Sequence, residues 1–525
     1  EVELKLAVAA RDLDDLRAHP LLLAYAEQAP QVQQLHTRYF DTPTRQLAQH
    51  GMALRLRRAG RQWWQALKTG DSEAAMSQRG EWEWPLAEGH LSVALLRDTP
   101  LARVADVDAL RHTLREVFAT RFRRETWLLR IGDGTQLALC IDTGQVRAGR
   151  HAEPICEVEL ELRSGDAGAL LGFARELSDV ITLVPLARSK AARGHALAEH
   201  GPAVPPPARL RPAAPAPDAL VAHALGTWLQ QGSAALAANG ALLDQSDVEY
   251  VHQARVAVRL LRSLLRLWRD AIEPHAVRHA LAALRRDLRA LGQVLGAARD
   301  ADVFVTESLP RLQRAADAGH VAAWPLLAQR ADARRTAAHA AAAAYVASPA
   351  FGSLLIDLER CAYALKRLAG ERLATAAPPR LDALQRALVK AAHGLAGHDA
   401  QALHRLRIAA KQLRYGSAPC AALFAPGPSQ LHAQVLAALQ TQLGRLNDDT
   451  VALQWLQALN APDDLNEWAR LRARRRVHKL LPEVAADVVR LQLIEPPWHA
   501  PRSTTITLNP TQSLIHQRVA CIPAP

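Results

Sequence analysis

Sulfur and aromatic rings are scarce in this sequence: five Cys, two Met and 5% aromatic residues in 525 positions. Cys140, Cys156, Cys361, Cys420 and Cys521 are scattered without C-x-x-C spacing, which excludes a zinc or disulfide framework and leaves reduced, mostly buried thiols. No run of about 18 uncharged apolar residues occurs, so no membrane span is expected. No basic-then-apolar leader precedes Glu1, so secretion is not indicated and a cytoplasmic location is expected. The chain opens without Met, inside a charged motif, and trimming of a short native leader is expected. Acidic residues are the minority, 52 against 64 Lys and Arg, for a formal charge of +12. That excess, heavy in Arg, points to an anionic partner without distinguishing nucleic acid, membrane or phosphate polymer.

A chain of 525 residues exceeds what one core serves, and two or three domains are expected. Residues 1–200 show short alternating runs between turn signals such as Asp41-Thr42-Pro43, Gly132-Asp133-Gly134 and Asp142-Thr143-Gly144. This part reads as mainly β, with helices near Leu91 to Phe118 and Gly168 to Leu177. Residues 201–217 are rich in Pro and Ala and read as a semi-rigid linker. Residues 218–495 turn to Ala, Leu and Arg with helical periodicity, enough for roughly eight to ten helices. Residues 496–525 read as an irregular tail.

Chemistry concentrates in the alternating runs. In Glu1-Val2-Glu3-Leu4-Lys5-Leu6 the charged residues share one strand face, and Glu157-Val158-Glu159-Leu160-Glu161-Leu162 repeats the arrangement. One such strand alone is most simply a solvated edge over an apolar core. Recurrence in Leu54-Arg55-Leu56-Arg57, Ala66-Leu67-Lys68 and Arg79-Gly80-Glu81-Trp82-Glu83 favours a sheet closed into a barrel, with the charged faces meeting inside. Glu1, Glu3, Asp142, Glu157 and Glu159 are hard oxygen donors suited to Mg²⁺ or Mn²⁺. Asp142 also reads as a turn residue ahead of Gly144. The cations Lys5, Arg38, Arg55, Arg57, Lys68, Arg79, Arg124 and Lys190 exceed what those acids need, and the surplus invites a triphosphate.

These residues, with Arg38-Tyr39-Phe40-Asp41-Thr42 and Ser189-Lys190, resemble the CYTH family of triphosphate tunnel enzymes over nearly all of residues 1–199. The resemblance implies a closed eight-stranded antiparallel tunnel that binds a triphosphate and a divalent metal. It implies Glu1, Glu3, Asp142, Glu157 and Glu159 as metal ligands and the eight cations above as the phosphate grip. Glu1, Glu3, Lys5 and Lys68 form the implied catalytic group, with a carboxylate-oriented water attacking the terminal phosphorus in line. Glu81 and Glu83 either join this chemistry or pair with tunnel arginines.

The helical half contains a repeat. His252, Arg255, Arg259 and Arg262 fall on one helical stripe roughly 80° wide at about 100° per residue, and His404, Arg407, Lys411 and Arg414 repeat it. A single charged stripe is usually a solvated face, yet few acids at i+4 neutralise either copy, so a polyanion would relieve the repulsion. Downstream lie Leu295-Gly296 with Asp300 and Asp302, and Leu443-Gly444 with Asp448 and Asp449; Asn447 stands where the first copy has Arg299. This pattern resembles the CHAD domain, which implies an all-α bundle of two repeated halves with a basic groove for inorganic polyphosphate.

The expectation is thus a multidomain α+β protein: a metal-dependent inorganic triphosphatase joined to a polyphosphate-binding module. The alternatives are a non-enzymatic polyphosphate-binding or granule-associated protein, and an adenylyl cyclase or a nucleotide or thiamine triphosphatase of the same fold. Nucleic acid is disfavoured, because no stacking aromatics or recognised DNA-binding motif accompany the basic stripes. Oligomeric state is not legible.

Overall fold

The computed structural model describes residues 2–70, 75–78, 80–132, 134–244, 247–316, 318–397 and 400–499. Glu1 and Arg79, both expected in the site, lie outside the described residues. The first part is one antiparallel sheet of ten strands: β1 Val2–Val8, β2 Gln31–Asp41, β3 Met52–Ala59, β4 Gln62–Thr69, β5 Met76–Gln78, β6 Gly80–Leu86, β7 Arg115–Arg130, β8 Gln136–Ala148, β9 His151–Ser164 and β10 Leu183–Pro185. Their order is β10-β1-β9-β8-β7-β2-β3-β4-β6, and β5 pairs with β1. β5 therefore lies on β1, next to β10 at one end of the path, while β6, paired with β4, is the strand at the other end.

Register explains the charge alternation. Lys5 stands opposite Glu159 and Glu3 opposite Glu161, while Arg124 stands opposite Asp142, which in turn faces Glu157. Directly paired residues share a sheet face, so these charges collect on one side and Leu4, Leu6, Leu139, Val158 and Leu160 on the other. The apolar side forms a buried core with the helix Ala167–Leu177, through Leu170, Leu171 and Phe173.

Two local expectations change. Asp142-Thr143-Gly144 is not a turn but the middle of β8. Gly144 is required there by close approach, since a Cβ would come within 2.2 Å of the Arg121 carbonyl oxygen. The helix expected from Leu91 to Phe118 is only the segment Val107–Thr113, preceded by two 3-10 turns at Val93–Leu96 and Pro100–Arg103. Phe118 already lies in β7, stacked on Tyr39 of β2 at 4.4 Å between ring centroids.

Residues 202–216 form no helix or strand, as expected of a Pro-rich segment, but they are pinned instead of hanging free. Asn239 donates to the Ala208 carbonyl and accepts from its N–H, Trp228 donates to Ala213, and Tyr250 donates to Pro205. The helical half has ten α-helices among the described residues, from Val221–Gly240 to Asp463–Leu493. No single helix among the described residues is long and apolar enough to cross a membrane.

Contacts divide the chain into two compact units. The first comprises residues 1–213, 220–372 and 448–473, so the sheet and the first helices belong together. The second comprises the described residues of 214–219, 373–447 and 474–499. Of the tail expected to be irregular, residues 500–525 lie outside the described residues; before them Pro497–His499 form a 3-10 turn, and buried Trp498 donates to Asp382 at 2.7 Å.

Candidate functional site

The charged face lines a cavity of about 250 Å³. Seven lining residues are cations (Lys5, Arg55, Arg57, Lys68, Arg124, Arg163, Lys190) and five are glutamates (Glu3, Glu81, Glu83, Glu159, Glu161), so the lining alone leaves a positive surplus. The acids and bases are sorted. Glu3, Glu159 and Glu161 come from the adjacent β1 and β9, whereas Arg55, Arg57 and Lys68 come from β3 and β4.

On the acidic wall, oxygens of Glu3, Glu159 and Glu161 lie within 4.8 Å of one another. Glu3 and Glu161 are opposed across the β1–β9 pair, an arrangement that a cation relieves. Lys5 Nζ supplies part of that charge, 3.0 Å from Glu3 Oε1. Three carboxylates of this kind fit a hard divalent cation better than zinc.

Asp142, Glu157 and Glu159 form a second cluster that shares Glu159 with the first, and the protein's own cations contact all three of its members. Lys190 Nζ lies 2.7 Å from Asp142 and 2.9 Å from Glu159, and also contacts Glu157. Arg124 grips both Asp142 oxygens at 2.6 and 2.7 Å, and Arg193 donates to Glu157 at 2.9 Å. Burial alone would lower the Lys190 pKa, but Asp142, Glu157 and Glu159 outweigh it and hold it well above the usual ammonium range. Glu159, which burial would push up, is held well below the usual carboxylate range by Lys190 and Arg124. Asp142 and Glu157, expected as metal ligands, are therefore in the layer beneath the cavity and do not line it.

The basic wall carries acids of its own. Arg55 donates to Glu81 Oε1 at 2.8 Å, with Glu83 3.7 Å away, and Lys68 Nζ lies 3.2 Å from Glu81 Oε2. Arg57 has a buried Nε without a partner among the described residues. Burial, then repulsion from Arg55 and Arg124, push its guanidinium down to about 10, still a cation at neutral pH. The far side is apolar: Tyr39, Phe118 and Phe122 pack with Leu197 of the helix Lys190–His200. Ser189 caps that helix by accepting from Ala192 N–H, so the helix brings its positive end and Lys190 to the cavity.

Of the residues expected from sequence, Glu3, Lys5, Arg55, Arg57, Lys68, Arg124, Glu159 and Lys190 line one cavity. Arg38 does not. It is paired with Leu56, not with Arg55 or Arg57, so it points to the opposite face, where it donates to Glu116 at 2.6 Å. Its neighbour Tyr39 faces in. Glu161 was visible in the alternation but omitted from the expected ligands, and Arg193, three residues after Lys190 on one helix face, was missed.

The first basic stripe lies on the helix Glu249–Trp268. Arg255 donates to Asp300 at 2.7 Å. Arg262 is lowered by burial and then by Arg285 and Arg289, and His252 by burial and then chiefly by Arg299, so the neighbouring helix His275–Val303 adds cations to the same surface. In the second unit, the helix Ala400–Ser417 buries Leu403, Leu406 and Leu413 and carries His404, Arg407, Lys411 and Arg414, the last donating to Gln440 at 2.8 Å.

The CYTH domain model matches residues 1–194 and the CHAD domain model residues 221–457. An uncharacterised protein of Mycobacterium tuberculosis is 32% identical over 463 residues, covering 82% of this chain and 83% of that protein. The chain belongs to the proteins that join a CYTH domain to a CHAD domain. An inorganic triphosphatase of Haemophilus influenzae is 30% identical over 200 residues, 38% of this chain, and the match spans about half, 54%, of that relative's length. The crystal structure of the CHAD domain from the plant Ricinus communis is 30% identical, covers 56% of this chain and 97% of that one, and has a TM-score of 0.45.

Proposed function

We propose that the cavity hydrolyses inorganic triphosphate to diphosphate and phosphate with a divalent cation, Mg²⁺ or Mn²⁺, and that the sheet closes as a tunnel around it through the segment 76–86. The observation that carries this reading is the sorting of one cavity into an acidic wall and a basic wall that includes Arg57, a cation without a fixed carboxylate partner among the described residues. The CYTH match and the inorganic triphosphatase relative support it. A cation held by Glu3, Glu159 and Glu161, with Glu1 two residues before Glu3 in sequence, would neutralise phosphate oxygens and help order the attacking water.

The remaining chemistry belongs to the chain itself. Arg55, Arg57 and Lys68 bind the phosphate oxygens and hold the chain in line, while Lys5 and Arg124 stand ready to stabilise charge as the terminal phosphoryl group transfers. Asp142 and Glu157 fix Arg124 and Lys190 in place. The apolar far side keeps bulk water out and strengthens these interactions. Purified protein with Mg²⁺ should release orthophosphate from tripolyphosphate, and Glu3→Gln should lower kcat at least 100-fold with an unchanged thermal midpoint. No phosphate release between pH 6 and 10 with either metal would sink the enzymatic reading; a panel including ATP and thiamine triphosphate separates it from other triphosphatases of this fold.

The basic helical stripes support a second part of the proposal, binding of inorganic polyphosphate by the CHAD domain. Removing charge at Arg255, Arg259, Arg407 and Lys411 together should weaken binding of long polyphosphate by more than tenfold in an electrophoretic or filter assay. Tripolyphosphate hydrolysis should be spared. Full retention of long-chain binding would reject the assignment.

A further inference from the structure

Glu81 is the acid set into the basic wall, and its two oxygens do different work. Oε1 accepts from Arg55 at 2.8 Å and Oε2 lies 3.2 Å from Lys68 Nζ. Register fixes this placement, since Glu81 stands directly opposite Lys68 across β4 and β6, and Glu83 opposite Ala66. One carboxylate thus bridges two cations through separate oxygens, the contact pattern that a phosphate group makes with an Arg and a Lys. We propose that Glu81 is a displaceable counter-ion: it holds a phosphate position between Arg55 and Lys68, yields it to the incoming chain, and returns to expel the product. The inference rests on the reading that the cavity takes a phosphate chain.

Three features distinguish this from a fixed structural ion pair. The Arg55 side chain is 9% exposed and cannot lose its counter-ion cheaply, yet a phosphate at the same place restores the charge balance. Glu81 itself is 21% exposed, so on leaving it can regain hydration, unlike Asp142 or Glu157 at 0 and 1%. Arg57, two residues from Arg55 on the same face, offers an arriving phosphate a first contact that requires no displacement. Entry then proceeds from Arg57 to the Arg55–Lys68 pair as Glu81 gives way. No bond to Glu81 forms or breaks; the exchange is purely ionic.

The test is isothermal titration of the full chain with tripolyphosphate and with diphosphate in excess EDTA, which removes any part that Glu81 plays toward a metal. Glu81→Gln keeps the shape and deletes the charge, and should tighten both anions at least tenfold. In steady state with Mg²⁺, KM for tripolyphosphate should fall and kcat should fall with it, as diphosphate leaves more slowly. Glu81→Asp, too short to reach both cations, should tighten binding by less, and it carries the test if the Gln variant does not fold. Glu83→Gln, only 3.7 Å from Arg55, should change affinity less than threefold. Wild-type binding that the Glu81 variants leave equal or weaker would overturn the counter-ion role while leaving the proposed function standing. Absence of binding by the wild type as well would overturn both.

Discussion

Arg57 and Glu359 are both charged groups in sheltered places, without an oppositely charged side chain in salt-bridge contact among the described residues, and their settings differ. Arg57 borders a polar cavity where an anion can reach it. Glu359 is 3% exposed on the helix Pro349–Leu365, against Ser233 and Gln230 of the helix Val221–Gly240. Desolvation pushes its carboxyl up to about 7, despite lowering contributions from Ser233, Lys366 and Gln230. The folded state therefore holds this proton after the unfolded chain, with its ordinary value of 4.5, has released it. The contribution of this site is fully present below about pH 4.5, declines as pH rises toward 7, and levels off above that, a loss on the order of 3 kcal/mol. Urea titrations at pH 5 and pH 8 measure it: Glu359→Gln should stabilise the protein at pH 8 and flatten the difference between the two. An unchanged difference would show that Glu359 does not titrate in this range.

At the scale of elements, the helix Lys190–His200 does more for the site than its length suggests. Lys190, Arg193, Gly194 and Leu197 are its buried residues, an i, i+3, i+4, i+7 stripe that is half ionic and half apolar. Lys190 and Arg193 neutralise Glu157 between them, while Leu197 joins the apolar cluster of Phe118 and Tyr39. Gly194 allows this seating, because a Cβ there would lie 2.1 Å from the Phe118 ring. Gly194→Ala should therefore cost about 1–3 kcal/mol from overpacking. It should also raise KM for tripolyphosphate, since Lys190 shifts with the helix. A lowered urea midpoint with an unaltered KM would mean that the helix relaxes without moving Lys190.

Across the whole molecule, the boundary written in the sequence is not an energetic boundary. The Pro-rich segment separates the two domains along the chain, yet Ile356 belongs to the same buried cluster as Leu4, Leu139 and Leu183 of the sheet. Ser353 Oγ donates to the Ser178 carbonyl, Arg175 Nε donates to Asp357 at 2.9 Å, and Thr182 donates to the Ala347 carbonyl. Gly352 presses against β10, where a Cβ would sit 2.6 Å from the Leu183 carbonyl oxygen. Gly352→Val should accordingly destabilise the sheet from a helix outside it, visible as earlier heat inactivation of tripolyphosphate hydrolysis. Loss of stability confined to the helices, with the heat inactivation unchanged, would contradict a shared folding unit.

The sequence by itself determined the properties that repeat over short distances. Alternation assembled Glu3, Lys5, Arg55, Arg57, Lys68 and Glu159 on the faces of strands, and helical spacing placed His252, Arg255, Arg259 and Arg262 on one stripe, because strand and helix periods are local properties of the backbone. Only the tertiary structure decided what depends on a partner. Register turned Tyr39 inward and Arg38 outward, which parity within β2 cannot do alone. Pairing put Asp142 and Gly144 inside a strand although their residue types favour a turn. The helix carrying Lys190 and Arg193 saturated Asp142 and Glu157, leaving Glu3, Glu159 and Glu161 along the cavity. Which carboxylate lines the cavity and which lies beneath it is set by packing and electrostatics between residues distant along the chain, and those distances exist only once the sheet and helices have packed.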